Sequence, residues 1–207
     1  MANLRRSSVA GWVVVLGVIL LLTIAACSTD DESGQGDGTP EPTIRVPLHD
    51  GSEMRLTANG CTSDCTFANG EEFTLAVEIV VTPPSAYVAA QSFIDYGPDL
   101  TYEATAAGDE IVWPECDSAV ALSAETGPTL VNHGCLTGLI PPLPESTFAG
   151  NIVEMTFRCS SDGSTTEVRL LPLGDPIAGS SGAAFVGTDM VTQTLPEVSD
   201  LTIICGG

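Results

Sequence analysis

Phe73-Thr-Leu-Ala-Val-Glu-Ile-Val-Val81 places Phe73, Leu75, Val77, Ile79 and Val81 on one side of an extended chain and Thr74, Ala76, Glu78 and Val80 on the other. A period of two is the pleat of a half-buried strand; a helix needs its apolar residues three or four positions apart. Pro83-Pro84 ends the run. Tyr87–Tyr96 is a second extended run, closed by Gly97-Pro98. Leu100 and Tyr102 follow, then Ile111-Val112-Trp113, Ala119–Leu122, Ile152–Cys159, Val168–Leu171 and Leu201–Cys205. Within Ile152–Cys159, Val153, Met155 and Phe157 alternate with Glu154, Thr156 and Arg158. No stretch beyond residue 43 sustains a helical period. With 21 Gly and 14 Pro to punctuate short strands, the pattern predicts an all-β sandwich or barrel.

The first residues follow a different rule. Arg5 and Arg6 precede an apolar run from Val9 to Ala26, which ends in Ile24-Ala25-Ala26-Cys27. A basic start, an apolar core and small residues before the cut are the parts of an export signal. The ending resembles the bacterial lipobox. That resemblance implies diacylglycerol on the Cys27 thiol, cleavage before it, and a lipid anchor at the extracytoplasmic face of a bacterial cell membrane. The organisation read from the sequence is therefore 1–26 signal peptide, 27–43 lipidated Cys and linker, and 44–207 folded domain. Ser28–Pro42 is rich in Gly, Asp, Glu and Pro, with no apolar periodicity. Such a segment reads as a disordered spacer with a reach of about 20 Å.

Charge excludes some partners. The chain has no Lys, and the two leader arginines leave four Arg against 27 carboxylates after Cys27, a formal net of −23. Phosphate backbones are held by clustered cations, so no nucleic-acid partner is expected. The acidity reads as a self-repelling, soluble surface, or as one suited to a basic partner.

Cys61, Cys65, Cys116, Cys135, Cys159 and Cys205 remain once Cys27 is assigned to lipid. Six thiols in an oxidising compartment point to three disulfides among fifteen possible connectivities. The preferred pairing is Cys61–Cys65, Cys116–Cys135 and Cys159–Cys205. The spacing of Cys61 and Cys65 also falls in the zinc-ligand range, but no matching second pair follows it.

Phe73–Val81, then Tyr87-Val-Ala-Ala-Gln-Ser-Phe-Ile-Asp-Tyr96 leading into Asp99-Leu-Thr-Tyr102, resembles the opening of a cohesin-type domain. Ile152–Phe157 resembles a later core strand of that family and Ser199–Cys205 its closing strand. The resemblance spans roughly residues 53–205. It implies a jelly-roll β-sandwich related to certain carbohydrate-binding modules, and a module that binds a protein partner, since cohesins bind dockerins. The chain departs from the pattern at Gly97-Pro98, where an Asp-Pro pair is expected, and in its cysteines.

Chemistry-bearing motifs are sparse. No phosphate loop and no Gly-x-Ser-x-Gly elbow occur. His49 and His133 have no ligand spacing between them, and Val131-Asn-His-Gly134 reads as a surface turn. No catalytic residue, metal site or cofactor is expected. Asp95, Asp99, Asp109, Glu110 and Asp117 are oxygen donors, but they match no calcium loop and read as solvated loop acids. Trp113, Tyr87, Tyr96 and Tyr102 lie within strand-like runs and read as core; exposed and coplanar, they would form a platform for sugars. A cohesin-like module for an exported protein is the leading function, with a carbohydrate-binding module or a ligand-free structural surface protein as alternatives. An exposed aromatic row would favour sugar, and a flat apolar sheet face would favour protein.

Replacing Cys27 with Ala is expected to abolish lipidation and either release the chain or stall its processing. Mass spectrometry of membrane-bound protein decides this: an unmodified Cys27 there rules out the anchor.

Overall fold

A computed structural model describes residues 48–105 and 110–206, which belong to one unit beginning at Ile44. The expected signal peptide, Cys27 and the expected linker lie outside the described residues. Twelve strands follow one another: β1 (Leu48–Ala58), β2 (Asp64–Phe67), β3 (Glu72–Val81), β4 (Tyr87–Asp95), β5 (Leu100–Tyr102), β6 (Leu122–Gly127), β7 (Leu130–Leu136), β8 (Gly150–Cys159), β9 (Thr165–Leu170), β10 (Ala184–Gly187), β11 (Gln193–Ser199) and β12 (Leu201–Cys205). The only helical pieces among the described residues are single 3-10 turns at Ser118–Val120 and Gly179–Ser181. The described residues form an all-β sandwich.

One layer runs β5-β8-β3-β1. The other is built on β4, which pairs with β7 and its hairpin partner β6 on one flank and with β9, and through it β12 and β2, on the other. β10 and β11 connect the layers: β10 pairs with β4, and β11 lies parallel to β1. Alternation explains the core. Phe73, Leu75, Val77 and Ile79 of β3 and Val153, Met155, Phe157 and Cys159 of β8 are buried, while Thr74, Glu78, Glu154 and Arg158 face outward. Tyr96, just after β4, meets Phe157 across the layers at 5.0 Å between ring centres, and Tyr87 meets Phe185 at 4.9 Å.

Several readings are corrected. Val81 does not continue the buried face of β3; it is exposed, because the register against β1 slips between Glu53 and Met54 and the extra residue turns the alternation over. Of residues 119–122 only Leu122 is in a strand, as the first residue of β6; a 3-10 turn at Ser118–Val120, capped by Asp117, precedes it. Ile111-Val112-Trp113 contributes only an isolated bridge, Ile111 to Val153. Val131-Asn-His-Gly134 is no turn but the middle of β7, where Val131, His133 and Cys135 point inward.

Gly97, where the chain leaves the cohesin pattern, has a local reason. Its φ is +71°, and a Cβ there would lie 2.6 Å from the Thr166 methyl. Only glycine takes that backbone and that approach without strain.

Disulfides join Cys61 to Cys65, Cys116 to Cys135 and Cys159 to Cys205. The last spans 46 residues and ties β8 to β12, whereas the first spans four. Loop-closure entropy puts the long bridge at about 4 kcal/mol and the short one at about 2. Removing Cys159 and Cys205 together should therefore lower the melting temperature well below that of the Cys61/Cys65 double variant. Equal losses in thermal denaturation would contradict this ranking.

Candidate functional site

Two places bring polar side chains together: the outer face of β1-β3-β8, and the interior behind β7.

On the outer face, Arg55, Thr57, Asn59, Thr74, Glu78, Asn151 and Glu154 surround a shallow depression of about 490 Å³. Pleating dictates the membership, since these are the outward positions of adjacent strands. Arg55 sits directly opposite Glu78 in the register and donates from Nε to Oε2 at 2.8 Å. Arg158 faces Glu72 in the same way and also reaches Glu103 at 3.0 Å. Asn151 donates to Glu154 at 2.8 Å. The surface therefore carries two guanidinium groups against Glu72, Glu78, Glu103 and Glu154, a net negative field. Part-exposed pairs of this kind are worth only about 0–1 kcal/mol each, so a partner can exchange them at little cost. Ala76 at the centre leaves the depression open.

The interior set is closed. Ser92 of β4, His133 of β7 and Ser123 of β6 form one row across three paired strands. Glu110 lies beside it, accepting from the Tyr102 hydroxyl at 2.7 Å and from the Thr105 amide at 3.3 Å. His133 is fully buried, and neither ring nitrogen, nor the Ser92 hydroxyl, has a hydrogen-bond partner. Ser, His and Glu are the side chains of acyl transfer, but that chemistry needs a linked Ser–His pair open to substrate. Here the space lined by Ser92, Trp113 and His133 is about 10 Å³, room for about one water molecule.

Burial holds the His133 pKa down to about 4, with the Glu110 carboxylate opposing the shift. Burial on its own would raise Glu110, but hydrogen bonding from Ser123, Thr105 and Tyr102 outweighs it and brings the group to about 2. Burial, and then Glu110, push Tyr102 up to about 12.

The remaining candidates are dispersed. Asp95 accepts from the Gly97 amide, Asp99 from the Thr166 hydroxyl, and Asp117 caps the Ala119 amide. Asp109 lies outside the described residues. Glu110 is not a solvated loop acid but a buried one. No cluster of three or more His, Cys, Asp or Glu fit to hold a metal occurs among the described residues. Tyr87, Tyr96 and Trp113 are buried and Tyr102 is half-buried, so these four form no exposed row. The outer sheet face is polar, not the flat apolar patch that the protein-binding reading anticipated.

No family model matches the chain, and no curated protein matches it by sequence. Solved structures do. The sixth cohesin of scaffoldin B from Acetivibrio cellulolyticus, solved in complex with a Cel5 dockerin mutant, aligns with a TM-score of 0.55 at 12% identity, over 75% of this chain and 99% of that one. The cohesin module of a family 33 glycoside hydrolase from Clostridium perfringens gives 0.55 at 11% identity, over 75% and 96%. A non-cellulosomal cohesin from the archaeon Archaeoglobus fulgidus gives 0.50 at 11%, over 76% and 92%. The fold is cohesin-like.

The buried histidine sets a pH dependence. The folded pKa lies below the unfolded value of 6.5, so the contribution is fully present above pH 6.5 and is lost as the pH falls toward 4. Its full size is roughly 3 kcal/mol. Glu110 adds a second loss below pH 4.5. The melting temperature should fall between pH 6.5 and 4.5, and His133→Leu should flatten that slope. Parallel profiles for the two proteins would show that His133 is not buried neutral.

Proposed function

We propose that this chain is a lipid-anchored protein of the bacterial cell surface, held at the extracytoplasmic face of the membrane by Cys27, and that its sandwich binds an exported protein partner. The observation that carries the binding reading is the cohesin-like fold, which extends over nearly the full length of the cohesin modules it matches. The A. cellulolyticus module was solved with a dockerin on it, and a protein partner is the corresponding expectation here. The anchor rests on the basic-then-apolar leader and Ile24-Ala-Ala-Cys27.

The outer face of β1-β3-β8 is the surface we assign to the partner. Its exposed ion pairs favour a partner that meets it with hydrogen bonds and cations. Such an interface gains on-rate from charge complementarity and weakens with salt. A sugar platform has less support, because Tyr87, Tyr96 and Trp113 are packed inside. The reading is of a binder and not a catalyst: the Ser92, His133 and Glu110 set has no opening for a substrate.

The test is capture from the producer's own secretome, run beside a glycan array. The wild-type protein should retain a protein partner, with affinity falling as salt rises. Glu103→Arg with Glu154→Arg, which reverses the sign of the exposed acids on this face, should weaken capture by roughly tenfold or more. Capture untouched by the double reversal removes the site assignment. Glycan binding without protein capture removes the proposed function.

A further inference from the structure

Exposed apolar side chains concentrate at one end of the sandwich. Ile140 is 81% exposed, Val191 73% and Leu139 60%, the highest values for large apolar residues among those described. The register brings their loops together. Leu136 pairs with Ala89 and Gly187 with Tyr87, so the 137–146 connection and the 188–192 turn leave the sheet on the two flanks of the start of β4. Val81 and Leu122, exposed as well, lie at the end of β3 and the start of β6 on this same side. The opposite end carries the Cys61–Cys65 and Cys159–Cys205 bridges and the 68–71 and 160–164 turns; of the exposed large hydrophobics described, Ile177 lies apart from the cluster, its amide donating to Asp175, which faces Arg169.

Both tips are held outward by their own hydrogen bonds. Thr137 donates its amide to the Val88 carbonyl and its hydroxyl to the Pro144 carbonyl, and Tyr87 and Ser146 exchange backbone bonds, closing a loop stiffened by Pro141, Pro142 and Pro144. In the other turn Asp189 accepts from the Val191 and Thr192 amides and from the Thr192 hydroxyl. Met190 takes a left-handed φ of 60°. Apolar side chains on braced tips cannot collapse onto the domain, and they stay in water unless something covers them.

We propose that this end is the membrane-facing surface of the domain, with the Leu139-Ile140 and Met190-Val191 tips seated in the interfacial layer of the bilayer that receives the Cys27 lipid. The proposal rests on the lipid-anchored reading above. Two observations select a bilayer over another occupant. The first described residue, Leu48, pairs with Thr194 beside the 188–192 turn, so the chain enters the domain at this end. Random-coil scaling gives the Ser28–Pro42 segment, read from the sequence as a spacer, an r.m.s. reach of about 20 Å, short enough to bring this end of the domain to the lipid. Second, the arginines among the described residues lie elsewhere: Arg158 and Arg169 pair in register with Glu72 and Asp95 at the far end, and Arg55 is engaged with Glu78, while Arg45 is outside the described residues. Contact is therefore through apolar insertion and not through attraction to anionic headgroups, since Glu115 lies near Tyr87, Glu145 in the 137–146 connection and Asp189 in the 188–192 turn. It should be strongest on zwitterionic lipid and weaker on anionic lipid.

The test places single Trp residues in the lipidated mature protein, which starts at Cys27 and so lacks Trp12: Ile140→Trp, Val191→Trp, and Asn69→Trp in the opposite 68–71 turn. Each is reconstituted into phosphatidylcholine vesicles with brominated acyl chains and compared with the unsubstituted protein, whose Trp113 is buried. Quenching at 140 and 191 should exceed that at 69 by about twofold or more, as expected for side chains inserted at interfacial depth. It should fall when phosphatidylglycerol is added. Protein that does not float with the vesicles overturns the anchor reading. Protein that floats with equal quenching at all three positions overturns this inference alone. Should a Trp variant misfold, an Ile140→Ser, Val191→Ser double variant carrying Cys27→Ser is compared with Cys27→Ser for binding to phosphatidylcholine vesicles, and equal binding overturns the inference.

Discussion

The sandwich depends on what Phe157 touches. This fully buried ring of β8 packs against Phe73 of the adjacent strand, Tyr102 of the edge strand and Tyr96 of the opposite layer. A single side chain thus joins both layers, and its burial forces the rest of β8 into register. With Phe157 inward, Glu154 and Arg158 must face out, and Arg158 must meet Glu72. The polar outer face is in this sense a by-product of the core. Large-to-small changes at such a position cost about 3–5 kcal/mol, a large share of a domain's stability of about 5–15 kcal/mol.

The fold class was legible because β3 and β8 carry clean alternation and their polar positions are solvent-facing. β7 was not, because Asn132, His133 and Gly134 are turn formers by composition. There the inward residue is itself polar and the outward one is glycine, so burial and hydrophobicity part company. β10 and β11 were missed because Ala184–Gly187 is only four residues long and Gln193–Ser199 is interrupted by Pro196; they make strands here through pairing with β4 and β1, a tertiary effect no local pattern encodes. The Val81 error came from a bulge, whose presence depends on the partner strand.

The outer-face site was illegible for a different reason. Arg55 and Glu78 are 23 residues apart, and Arg158 and Glu72 are 86 apart. Among 27 carboxylates any pairing is uninformative until register is known. The interior row has the same origin: Ser92, Ser123 and His133 are unremarkable individually and become a set only when β4, β6 and β7 align. The core reading of Tyr87 and Tyr96, by contrast, followed from their places in one extended run, whereas Trp113 is buried outside any strand and Tyr102 is only half-buried.

The position of β1 has a mechanical side. It is the first described strand, yet it is an internal one, flanked by antiparallel β3 and parallel β11. A pull transmitted to Leu48 acts along the strand and loads both rows of hydrogen bonds together. An edge strand would peel away one bond at a time; a flanked strand pulled lengthwise must shear its rows as a group. The entry point of the chain is thereby also the part of the domain best arranged to bear tension.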